Sequence, residues 1–141
     1  MSEEAQLTDT EDLQERLVEV QTLLARHKLV EDLVHRQEGP RHDLVEEVVH
    51  KQHLHELQAK LEPMHPADIA YVLEALPTDE RLIVWRLVNP ELEGEVLLEV
   101  SDAVRESLIE SMGRTELVAA AETLDADELA DLAPDLPQGV I

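Results

Sequence analysis

HPADIAYVLEALPTDERLIVWRLV (65–88), NPELEGEVLLEVSDAVRESLIESM (89–112) and GRTELVAAAETLDADELADLAPDL (113–136) are three consecutive blocks of 24 residues. Set one beneath another, their apolar positions coincide: Val72, Val96 and Ala120; Leu73, Leu97 and Ala121; Leu76, Val100 and Leu124; Val84, Leu108 and Leu132; Val88, Met112 and Leu136. A helix-start residue stands mid-block each time, Pro77, Ser101 or Asp125. Asn89-Pro90 offers an N-cap followed by proline at the first helical position, and Asp125 with Glu128 has capping-box spacing. Each block therefore reads as two short helices joined by a tight turn. One such pair cannot bury its apolar face alone, so neighbouring pairs stack. The expected fold is all-α, a superhelical solenoid of short helix pairs; the repeat itself does not give the hand. Trp85 and Met112 are expected in the core.

Upstream, residues 8–38 read as one long helix, with Thr8 and Glu11 at capping-box spacing and Leu13, Leu17, Val20, Leu24, Val30, Leu33 and Val34 on helical spacing. Gly39-Pro40 stops it. A second helical stretch covers about 41–62. Its apolar stripe changes side, from Leu44, Val45 and Val48 to Leu54, Leu57 and Leu61, which predicts a break or bend near His50–His53. The division expected is an N-terminal helical extension (1–53), the repeat domain (54–137) and the start of a further helix (138–141), as if the chain were cut from a longer one.

Composition narrows the function. The 141 residues carry 33 acids and 11 bases, a formal charge of −22, with no Cys or Phe and aromatics at 1 %. Disulfides and thiolate chemistry are excluded. Phosphate backbones and anionic bilayers are repelled, so neither nucleic acid nor a membrane surface is an expected partner. No stretch approaches the roughly 20 apolar residues of a membrane span, and the acidic N-terminus is no signal peptide, so the chain reads as soluble and cytosolic. There is no Gly-rich loop, nucleophile elbow or H-E-x-x-H, so no enzyme is expected. Charge is uneven: residues 1–64 hold 15 acids and 7 bases, residues 65–141 hold 18 and 4, and all seven His fall at or before position 65.

Three clusters bear chemistry. Glu91, Glu95, Glu99 and Asp102 share helical spacing, with no base between Arg86 and Arg105. Such a stripe is either a solvated face or a surface for a divalent cation or basic partner. Asp125, Asp127, Glu128 and Asp131 form the second. First-turn carboxylates complement the helix dipole, which accounts for Asp127 and Glu128 better than for Asp131. Hard oxygens of this kind suit Mg²⁺ or Ca²⁺, yet one helix cannot enclose either ion. Glu46, His50 and His53 lie on one helix face with His55 nearby, a set that suits Zn²⁺ or Ni²⁺ or is simply solvated.

The order and spacing of His65-Pro66-Ala67-Asp68-Ile69-Ala70, Leu76-Pro77-Thr78-Asp79-Glu80-Arg81-Leu82, Glu95-Val96-Leu97-Leu98-Glu99 and Leu124-Asp125-Ala126-Asp127-Glu128-Leu129-Ala130-Asp131-Leu132 resemble the cytosolic N-terminal domain of the MgtE magnesium transporters over about residues 54–137. The resemblance implies a right-handed superhelix that precedes a pair of CBS domains and a magnesium-selective transmembrane pore, in a homodimer of the cell membrane. It implies that Mg²⁺ bridges the superhelix to the CBS pair and closes the pore. It places the metal ligands on Glu95, Asp127 and Asp131, with weak binding by this region alone. Gly94 departs from the small helix former expected before Glu95, which would loosen that helix by about 1 kcal/mol relative to Ala. The alternative is an acidic interaction module like those of the flagellar motor switch, indifferent to metal.

Overall fold

The computed structural model describes the backbone of residues 3–35 and 42–137, and the side chains of 12–33 and 47–137. The described residues are helical, with no strand among them: α1 (Glu3–His35), α2 (His42–Leu61), α3 (Pro66–Ala75), α4 (Thr78–Leu87), α5 (Pro90–Glu99), α6 (Asp102–Ser111), α7 (Arg114–Glu122) and α8 (Ala126–Leu132), then a 3₁₀ turn at Ala133–Asp135. They fall into two compact units, Met1–Pro63 and Met64–Ile141.

In the second unit every helix start recurs at the repeat interval. The odd-numbered helices form one row, α3 on α5 and α5 on α7, while α4 packs on α6 beside it. The turns follow from the sequence. Leu76, Val88, Val100 and Met112 each end a helix in extended conformation, and all four are buried. The next residue then opens a new helix. Asn89 accepts from the Glu91 amide at 3.0 Å, and Ser101 accepts from the Val104 amide. Asp125 and Glu128 form the reciprocal capping box, at 2.9 and 3.2 Å. All but one of the aligned apolar positions are buried; Ala121 is half-exposed. Trp85 and Met112 lie in the core.

A repeated arginine completes the turns. Arg81 on α4 donates from Nε to the Leu73 carbonyl (2.8 Å) and from Nη2 to that of Leu76 (2.9 Å). Arg105, one repeat later, donates to Leu97 (2.6 Å) and Val100 (3.4 Å). The last carbonyls of a helix lack intrahelical donors, and the planar guanidinium supplies several at once. The third block has Leu129 at this position.

The first unit is an antiparallel pair, α1 on α2. Val20, Leu23, Leu24 and His27 from α1 are buried, as are His53, Leu57 and Leu61 from α2. Lys60–Glu19 (3.2 Å) and Arg26–Glu56 (3.6 Å) bridge the two helices. Two sequence expectations need correction. Helix α1 begins at Glu3, so Thr8 lies inside it and does not cap it. Helix α2 runs unbroken through His50–His53. Its apolar stripe changes side because His53 takes the next place on the face that packs against α1, while Val48 is left exposed at 55 %. The expected stop at Gly39-Pro40 and the side chains of Val34, Leu44, Val45 and Glu46 lie outside the described residues, as do residues 138–141.

Candidate functional site

Helix α5 is built with opposed faces. Val96 and Leu97 are fully buried, and Gly94 is buried with them. A Cβ at position 94 would meet the Ala120 carbonyl oxygen of α7 at 2.6 Å, Thr123 Oγ1 at 2.9 Å and Leu124 Cδ2 at 3.0 Å. The glycine is therefore the point where α5 and α7 touch backbone to backbone. The expected loss of helix propensity at Gly94 is the condition for this close packing, because the site has no room for a Cβ. Glu91, Glu95 and Glu99 lie on the other side of α5, exposed. Asp102 does not extend their row. Ser101 caps a new helix, and Asp102 opens α6, where it pairs with Arg105 at 3.6 Å.

Asp127 and Asp131, one turn apart on α8, are exposed as well. Helix α8 packs against α5, so Glu95 and these two aspartates stand on neighbouring helices. Among the described residues none of the three makes an ion pair or a side-chain hydrogen bond with another residue. Nor do their oxygens converge into a ready-made cage. The one group of three or more His or acidic ligands gathered closely enough for a metal, among the described residues, is His27, Glu31 and His50 in the first unit. His53 belongs to that neighbourhood, stacked on His27, while His55 is exposed elsewhere on α2.

The family model of the MgtE intracellular N domain matches residues 64–141. The chain belongs to this family. The matched span begins where the second compact unit begins. The MgtE family is one of membrane transporters of magnesium, not of enzymes, and this is its intracellular portion. Among the described residues no helix is long and apolar enough to cross a membrane. No curated relative matches the chain.

Within the MgtE domain, sequence reasoning missed two features. Arg81 and Arg105 recur at the repeat interval and could have been read from it. Glu93 occupies the repeat position of Ile69 and Leu117, both buried. It is half-buried, and that burial, with Glu116 of α7 beside it, pushes its carboxyl up to about 7. A carboxylate where the flanking repeats hold aliphatics was the available signal. In the first unit, burial lowers His27 below the ordinary imidazole range, and it lowers His53, beside His27, to about 4.

Proposed function

We propose that this chain is the magnesium-sensing regulatory domain of an MgtE-type transporter. Glu95, Asp127 and Asp131 hold Mg²⁺ together with a facing CBS domain, and the bridged state closes the pore. The observation that carries this reading is that these three carboxylates, on two packed helices, are exposed and have no ion-pair partner among the described residues. Mg²⁺ accepts one or two carboxylates from a wall and keeps several waters, so it bridges surfaces that do not form a cage. Two acidic walls repel without cations, and a divalent ion turns that repulsion into attraction. The separation of the three carboxylates leads us to expect weak binding by the domain alone. The shift between open and closed is limited by the difference in Mg²⁺ affinity of the two arrangements. In this reading the transporter is a homodimer in the cell membrane with this domain on its cytoplasmic side.

The test is limited proteolysis of the domain joined to its CBS pair, with and without millimolar Mg²⁺. Mg²⁺ should protect the junction, and Glu95→Gln/Asp127→Asn/Asp131→Asn should abolish the protection. Full protection of the triple variant would refute the ligand assignment.

A further inference from the structure

The first unit carries a second, chemically different cluster. Glu31 Oε1 lies 2.9 Å from His27 Nε2, one helical turn away on α1, and 3.3 Å from His50 Nδ1 on α2. The donor atoms of the three residues all fall within 4.8 Å of one another. Tetrahedral zinc, with bonds of about 2.0–2.2 Å, sets its ligand atoms roughly 3.3–3.5 Å apart. The two distances through Glu31 are thus close to what one ion would impose.

A second observation is independent of that geometry. His27 and His53 are buried, at 6 % and 7 % exposure, and stack face to face with ring centroids 3.7 Å apart. His27 Nδ1 and His53 Nε2 have no hydrogen-bond partner. Leaving a buried polar atom unpaired costs about 1–3 kcal/mol. Leucine or phenylalanine would fill the same space between α1 and α2 without that cost, so packing alone does not explain imidazoles at both positions. Ligation does.

The geometry points to a binding site for a divalent transition-metal ion of the Zn²⁺ class, formed by His27, Glu31 and His50 across the α1/α2 pair. Imidazole nitrogens with one carboxylate suit Zn²⁺, Ni²⁺ or Cu²⁺ and discriminate against Mg²⁺, which takes oxygen. His50 and the side chain of Glu31 are 50 % and 42 % exposed, so the ion enters from that side and water completes its shell. His53 is a positioning residue, holding the His27 ring by stacking. Bound metal pins α1 to α2 and stabilises the hairpin against local opening. The site shares no residue with the carboxylates of α5 and α8.

The experiment is Zn²⁺ titration of the full chain by calorimetry, with melting temperature as a second readout. One Zn²⁺ per chain should bind saturably and raise the melting temperature, and millimolar Mg²⁺ should not compete. Glu31→Gln and His50→Ala, both at partly exposed positions that leave the fold intact by circular dichroism, should each weaken binding at least tenfold. Glu95→Gln/Asp127→Asn/Asp131→Asn should leave it unchanged. Absence of saturable binding, undiminished binding in both hairpin variants, or loss of binding in the α5/α8 triple variant would overturn the assignment.

Discussion

Gly94→Ala sets two well-known effects against each other. In an exposed helix interior the change stabilises by about 1 kcal/mol, since Ala loses less backbone freedom on folding. Here the new methyl would sit 2.6 Å from the Ala120 carbonyl oxygen, well inside van der Waals contact. That oxygen is main chain and cannot rotate aside. It also accepts from Thr123 Oγ1 at 2.7 Å and from the Thr123 amide at 3.3 Å, bonds that finish α7. Relief requires α5 and α7 to separate along their whole contact. Overpacking costs about 1–3 kcal/mol, and a rigid backbone partner puts this case near the upper end. Net of the propensity gain, the variant should lose about 2 kcal/mol. For a domain of this size that is a fall in melting temperature of roughly 10 °C. Urea denaturation of the full chain, followed by circular dichroism, measures it. A variant as stable as the parent, or more so, would refute the close approach of the two helices.

Other substitutions probe the remaining elements. Glu93 titrates higher in the folded chain than when unfolded, so the native state keeps a proton the unfolded state has released between about pH 4.5 and 7; its contribution is therefore full below that window and is lost as pH rises through it. Glu93→Gln should remove that slope and leave the chain more stable than the parent at pH 8, read as the difference between two denaturation series; equal pH profiles would contradict the burial of Glu93. Arg105→Met leaves the Leu97 and Val100 carbonyls and Asp135 without their donor, and should cost about 2–3 kcal/mol by chemical denaturation. Single changes Glu95→Gln, Asp127→Asn and Asp131→Asn, at exposed positions, should each alter the stability of this chain by no more than about 0.5 kcal/mol; a larger loss by thermal melting would mark the residue as structural.

The short stacked helices of the second unit were legible because their core is periodic in sequence. The same aliphatic positions recur, and Asn89, Ser101 and Asp125 mark helix starts through purely local bonds. Where the chemistry is not local, the reading failed. The turn at Val100–Ser101 takes Asp102 off the α5 face, although its spacing continues the row. Gly94 looked like a defect because its reason lies across the interface, on α7, twenty-six residues away at Ala120. The supposed break in α2 arose because histidine has no apolar signature, so the face through His53 to Leu57 could not be followed. Glu31 was invisible as a partner of His50, since the pairing depends on α1 and α2 folding against each other. Glu95 and Asp131 stand next to the buried repeat positions Val96 and Leu132, and Asp127 lies one turn before Asp131 on the same helix.

Transport gives the most direct measure of the magnesium-sensing account. Mg²⁺ flux through the intact transporter should fall steeply as magnesium on the cytoplasmic side rises through the millimolar range. With Glu95→Gln, Asp127→Asn and Asp131→Asn combined, flux should persist at concentrations that silence the parent. Unaltered closure of the triple variant would contradict the account.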